Sequence, residues 1–313
     1  MDVLSRLIEL ARLKPTLDIR CRLQGTFAID HEPAATGTLP FHLILGGDCL
    51  IRLRSGREIT LRSGDFLLLP RGDAHVIVGL RPRGETGPLR VTTGGMLPLR
   101  ENGDGDADLD LLCGHFDCAP GSAALLLDSL PDVFHVSLAA ESEELLKTLV
   151  AMLYRETAEE KPGALAIITA TCLSLFIMAV RAGRASPVAS SGLLQLLGDA
   201  RLGKSAAAMM SSPAFPWTID ELARHSAMSR ATYARQFRER AGMTVGAFLT
   251  DIRMMLASDL LVRTRRTIAD IAAEVGYESE AAFGKAFKGR RGITPARYRS
   301  AELAARMEDP GER

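Results

Sequence analysis

The chain has 313 residues, 38 basic and 38 acidic side chains, and 47% hydrophobic content. This is the profile of an ordinary soluble chain of about two domains, and it excludes a disordered chain, a collagen-like repeat and a small disulfide scaffold. The zero net charge hides an asymmetry, because residues 217–300 carry 15 basic against 9 acidic side chains and the remainder is correspondingly acidic. A basic module on an acidic remainder points towards nucleic acid or a membrane surface. The five cysteines are odd in number and scattered, which fits reduced thiols in a reducing, cytoplasmic compartment.

In chain order, MDVLSRLIELARL spaces Asp2, Arg6, Glu9 and Arg12 through apolar residues. It reads as an amphipathic helix, since a signal peptide needs an uninterrupted apolar stretch. From about 16 to 137, short apolar runs such as FHLILGG, EITL, DFLLLP and HVIVGL alternate with Gly, Pro, Asp and Ser turns. That pattern predicts an antiparallel barrel or sandwich. The acidic stretch 100–110, RENGDGDADLD, reads as a mobile surface loop. A helical period begins at Glu141. The uncharged segment 162–180 just reaches membrane-spanning length. It contains Thr169, Thr171, Cys172 and Ser174 and lacks aromatic anchors, so a buried helix of a bundle or dimer interface is expected, with no membrane partner. Residues 184–192, RASPVASSG, form a candidate hinge, and LLQLLGDARLGKSAAAMM reads as one further helix.

The basic module contains a degenerate repeat. Thr218-Ile219 matches Thr267-Ile268, and Ser229, Phe237, Gly242 and Thr244 match Ser279, Phe287, Gly292 and Thr294. Each copy reads as a short helix, a tight turn near Ala227-Met228 or Gly276-Tyr277, and a second helix that starts at an N-capping serine. The helix Val245–Thr264 would space the copies. Tyr233, Phe237 and Ala241 in one copy, and Phe283 and Phe287 in the other, form the inward faces. Arg230, Arg235 and Arg238, then Glu280, Lys285 and Lys288, form the outward ones. An arginine there can grip guanine O6 and N7 in a bidentate pair.

Residues 217–300 resemble the DNA-binding domain of AraC/XylS-type transcriptional regulators. The second copy carries that family's signature in Ile268-Ala269, Val275-Gly276-Tyr277, Phe283, Phe287, Gly292, Thr294-Pro295 and Tyr298-Arg299. The resemblance implies two helix-turn-helix units entering successive major-groove segments of double-stranded DNA. It makes Arg230, Ala231, Ala234 and Arg235, and Glu280, Ala281, Gly284 and Lys285, the base-facing candidates, and the outward Arg238 and Lys288 complete the DNA-facing set.

Gly64, Pro70, Gly72 and His75 follow the spacing G-x5-P-x-G-x2-H, which resembles the second motif of cupin barrels. The first motif, expected around 40–53, normally supplies two histidines and a glutamate. Here it retains His42 alone, with Ile44 in the second place. Two histidines are too few for the usual catalytic metal set, so no catalytic residues and no enzyme are expected. A divalent metal is the one cofactor the barrel suggests, through Cys21, His42 and His75. The opening residues, Cys21, His42, His75 and Cys113 together resemble one cupin-bearing subgroup of the AraC-type family, which includes a reactive-chlorine-responsive activator. That resemblance implies redox sensing by Cys21 and Cys113. Cys113 with Cys118, flanking His115, is the local alternative. Arg20, Arg22 and the barrel histidines are the candidates to favour a Cys21 thiolate.

The expected fold is α+β multidomain. It comprises a cupin-like antiparallel β-barrel sensor (1–137), a helical linker and dimerisation region (138–212), an all-α double helix-turn-helix domain (213–300) and a tail (301–313). The expected function is a sequence-specific DNA-binding regulator, an activator that senses oxidative or electrophilic stress, with a homodimeric state and an RNA polymerase contact. The alternatives are a regulator that senses a metal or metabolite through His42 and His75, and a cupin enzyme.

Overall fold

The computed structural model describes residues 3–80, 87–118, 123–185 and 192–308. The elements run α1 (Val3–Ala11), β1 (Lys14–Leu23), β2 (Ala28–His31), β3 (Thr38–Leu53), β4 (Glu58–Arg62), β5 (Asp65–Leu68), β6 (His75–Gly79) and β7 (Arg90–Thr92). They continue with β8 (Leu99–Glu101), β9 (Leu109–Asp117), α2 (Ala124–Leu127), β10 (Phe134–Ser137), α3 (Leu138–Glu159), α4 (Ala164–Ala185), α5 (Leu193–Gly198) and α6 (Leu202–Ser211). The last six are α7 (Ile219–His225), α8 (Arg230–Ala241), α9 (Val245–Arg263), α10 (Ile268–Glu274), α11 (Glu280–Arg291) and α12 (Pro295–Glu308). By contacts the chain forms two units, one of Leu13–Asp117 with Leu130–Ala189, the other of Met1–Arg12, Cys118–Ser129 and Ser190–Arg313.

The first unit is a curled, ten-stranded sheet of cupin type, organised by the 16-residue strand β3. Its first half pairs with β5 and β9 and its second half with β4 and β6, all antiparallel. The change of partners falls at an irregularity between Ile44 and Gly46, followed by Gly47 at φ +78°. A Cβ on Gly47 would lie 1.8 Å from the Asp108 carbonyl oxygen, so only glycine allows this bend. One strand thereby serves both sides of the curl and encloses Cys21, Ile44, Cys49, Ile51, Leu111 and Cys113. β1 and β8 form the one parallel pair among the described strands.

Helix α4 packs against α3, β1 and β10, burying Ile168, Cys172, Leu175, Phe176 and Ala179. Phe176 lies 5.1 Å from the Phe116 ring of the sheet. Among the described residues, 164–183 is the one helix long and apolar enough to cross a membrane, and half of its most apolar window is buried within the protein.

Three local expectations change. Residues 100–110 are tied into the sheet: Asn102 is buried, accepts from Gln24 N at 2.7 Å and donates to Gln24 O at 2.8 Å. Paired polar groups hold this segment although its composition reads as a loop. The single helix expected from 193 breaks into α5 and α6, because the Asp199 carboxylate accepts from the amides of Arg201 and Leu202 and starts a new helix. Residues 301–308 continue α12. Residues 186–191 of the candidate hinge and 309–313 of the tail lie outside the described residues.

The second unit is helical and is built on α9. One side of that helix (Val245, Phe248, Ile252, Met255) joins a core with Tyr233 and Phe237, and another (Met254, Ala257, Leu261) joins a core with Phe283, Phe287 and Tyr298. The first core is completed by Leu7 and Leu10 of α1, Leu125 of α2, and Leu196, Leu202 and Met209 of α5 and α6. The contacts thus assign α1, α2, α5 and α6 to the helical unit, where sequence patterning draws the boundary at 213.

Candidate functional site

Both helix-turn-helix units are built as their residues require. Thr218 forms a capping box with Glu221 at the start of α7, and Thr267 forms one with Asp270 at the start of α10. Ser229 and Ser279 accept from the amides of Thr232 and Ala282 and open the second helices. The turns between helices use left-handed residues, Ala227 at φ +50° and Gly276 at φ +85°. Tyr233, Phe237, Phe283 and Phe287 are fully buried, and Tyr233 Oη donates to Ser205 Oγ at 3.0 Å.

The outward faces of α8 and α11 expose Arg230, Ala231, Arg235 and Arg238, and Glu280, Ala281, Lys285 and Lys288, with Ala234 and Gly284 half-buried between them. Arg230 pairs with Asp220 at 3.2 Å and Arg235 with Glu239 at 3.1 Å. Exposed pairs of this kind are worth little, so neither ion pair holds its guanidinium group firmly in place.

The curled sheet holds a second cluster, of thiols and imidazoles. His42 of β3 is register-paired with Cys113 of β9, and His42 Nδ1 lies 3.2 Å from Cys113 Sγ. His42 Nε2 lies 2.7 Å from His75 Nε2, and His75 Nδ1 donates to the Asp73 carbonyl at 2.9 Å. The Cys21 and Cys113 thiols hydrogen-bond each other.

The hydrogen bond with Cys113, aided by the Arg100 guanidinium, holds Cys21 below the ordinary thiol value against the opposing effect of burial. Cys113 is pushed well above it, first by that same bond and then by burial. Arg100 takes this part because Arg20 and Arg22, the expected cations, are engaged with Asp110 and Glu101. Burial raises Cys49 and Cys172 to about 12, which leaves them inert. Cys118 is half-buried and belongs to the helical unit, whereas Cys113 belongs to the sheet.

One residue of the cluster has no sequence motif. His31, on β2, is register-paired with His75, stacks on its ring at 4.6 Å, and lies 5.1 Å from the His42 ring. The ligand nitrogens of His31, His42 and His75 all lie within 4.8 Å of one another, and Cys21 is not part of this group. Burial lowers all three imidazoles, His31 to about 4 with help from His75 and Arg100, and His42 well below its ordinary value. The only signal for His31 is its pairing with His75 across strands, and no spacing within one strand reveals that.

Comparison with known proteins agrees with both halves. The Cupin family profile matches residues 2–183, and the Helix-turn-helix domain profile matches residues 222–301. An uncharacterized HTH-type transcriptional regulator of Haemophilus influenzae is 32% identical over 96% of this chain and 98% of its own length. The HTH-type transcriptional regulator MtrA of Neisseria gonorrhoeae and the RCS-specific HTH-type transcriptional activator RclR of Escherichia coli are each 30% identical. Those alignments cover 96% of this chain and 98% and 97% of the relatives. The DNA-binding domain of AdpA, solved with a target DNA, is 27% identical over 35% of this chain and 99% of that one, with a TM-score of 0.34. With an AraC-type double helix-turn-helix on a cupin domain and full-length relatives on both sides of the join, the chain belongs to the AraC family of DNA-binding transcriptional regulators.

Proposed function

We propose that this regulator is a cytoplasmic, homodimeric activator that reads thiol oxidants through Cys21 and Cys113 and passes the signal to RNA polymerase at its promoters. The observation that carries the reading is the hydrogen-bonded pair of Cys21 and Cys113, enclosed in the sheet with Cys21 the more acidic. The Escherichia coli relative named as an RCS-specific activator supports the same reading.

The chemistry balances with a hypohalous acid as oxidant. The Cys21 sulfur takes the chlorine of HOCl and releases hydroxide, and hydrolysis of the sulfenyl chloride gives sulfenic acid and chloride. The Cys113 thiol then attacks that sulfur, a disulfide forms, and water leaves. Cys21 stands opposite Leu111, and Cys113 opposite Ile19, so the two cysteines are diagonal neighbours across β1 and β9. Diagonal neighbours sit about 7–8 Å apart, while a disulfide needs Cα atoms within about 4.4–6.8 Å. Closing the bridge therefore draws β1 along β9 by on the order of 1 Å. β1 follows directly on α1, whose Leu7 and Leu10 sit in the core of the DNA-binding helices. A pull on β1 thus reaches that core through one covalent step.

Intact-mass and peptide mapping after mild hypochlorous acid test this. The expected result is loss of two hydrogens with a Cys21–Cys113 linked peptide, and no oxidant response in a reporter strain carrying Cys21→Ser. A Cys21→Ser protein that still responds overturns the redox reading.

A further inference from the structure

We infer that His31, His42 and His75 form a binding site for a borderline divalent transition-metal ion of the zinc class, with three imidazole ligands and a fourth position left for water or a small anion. The three ligand nitrogens converge within 4.8 Å, from three strands of the curled sheet. A tetrahedral site with Zn–N bonds of ~2.0–2.1 Å has ligand nitrogens ~3.3 Å apart, so small ring movements close it.

Three further features prepare the site. His75 Nδ1 donates to the Asp73 carbonyl, which leaves the Nε2 lone pair facing the other two rings and fixes the imidazole's orientation, the outer support typical of metal-bound histidine. His31 Nε2 is enclosed and has no hydrogen-bond partner, a cost that a ligand bond removes. His42 presents Nε2 inward when its hydrogen sits on Nδ1, where Cys113 Sγ lies 3.2 Å away to accept it. A two-histidine reading of the strand pattern is too sparse for a metal. His31 completes the set from a strand outside both cupin motifs. All three donors are nitrogen, and no carboxylate takes part among the described residues. That donor set suits a borderline ion and disfavours magnesium or calcium, which take oxygen.

The test uses the full, reduced, chelator-stripped protein. Titration with Co2+ should give one equivalent of four-coordinate d–d absorption with no thiolate-to-metal charge-transfer band. Zn2+ should displace the colour stoichiometrically. His31→Ala and His31→Gln should weaken affinity by on the order of 100-fold, and Cys21→Ser should change it little. Circular dichroism of each variant confirms that the sheet is retained. Absence of stoichiometric binding, a charge-transfer band that marks a cysteine ligand, or unchanged affinity in a folded His31→Gln protein overturns the inference. The redox reading stands or falls separately, on the Cys21→Ser reporter response.

Discussion

The turn of the second helix-turn-helix depends on Gly276, and Gly276→Ala should break it. At φ +85° an added Cβ would lie 2.7 Å from the Ala214 carbonyl oxygen, 2.8 Å from Ala214 Cα and 2.9 Å from Arg253 Nη2. The loop cannot retreat cheaply, because Arg253 donates to the carbonyls of Pro213 at 2.8 Å and Phe215 at 3.2 Å. The left-handed conformation costs an alanine about 1–2 kcal/mol, and forcing atoms into a packed site adds about 1–3 kcal/mol. Reduced freedom of the unfolded chain returns about 0.4–1 kcal/mol. The net expectation is destabilisation of about 2–4 kcal/mol. The first turn supplies the inverse experiment: Ala227 already sits at φ +50°, so Ala227→Gly should stabilise by about 0.5–1 kcal/mol once its own unfolded-state loss is subtracted. Urea unfolding of the full chain, followed by fluorescence, reads both. The sole tryptophan, Trp217, packs against the first core of the helical unit. A Gly276→Ala protein within about 0.5 kcal/mol of the parent, the usual spread of neutral surface changes, would refute the argument.

The remaining predictions concern the same unit. Leu7→Ala, at a fully buried position, should lower the stability reported by Trp217 by about 3–5 kcal/mol. An unchanged Trp217 transition would remove α1 from the DNA-binding core. Arg235→Ala gives up only an exposed ion pair with Glu239, so stability should move by about 0.5 kcal/mol or less. Its specific promoter affinity should fall by about 1–3 kcal/mol; equal losses on specific and random DNA in a gel-shift titration would assign Arg235 to the phosphate backbone. Promoter affinity of the full chain should fall with salt at a log–log slope of about −0.9 per phosphate neutralised. A flat salt response would contradict a binding face built from Arg230, Arg238, Lys285 and Lys288.

Much of the DNA-binding half is legible in the chain itself. The serine and threonine caps, the aromatic spacing and the glycine at the second turn are local signals, each acting within one or two helical turns. The observed spans α7, α8, α10 and α11 follow them closely. The acidic stretch 100–110 was misleading for the opposite reason. Its order comes from Gln24, Gly25 and Arg20, far away in sequence, which pair with Asn102, Asp108 and Asp110.

By itself the sequence determined the strand-rich first half and the helix-turn-helix pair, because periodicity, capping and motif spacing are properties of adjacent residues, while His42, His75, Cys21 and Cys113 were singled out by the family resemblance those motifs carry. Only the tertiary structure decided which side chains meet. Strand register brings His31 beside His75 and His42 beside Cys113. Parallel pairing of β1 with β8 sets Arg100 opposite Cys21, while Arg20 is spent on Asp110. Burial of Leu7 and Leu10 with Leu125 and Met209 places α1 in the DNA-binding core. Such contacts depend on the closure of a curled sheet and on apolar faces finding one another across the chain, and register and burial of that kind leave no periodic trace in any one segment.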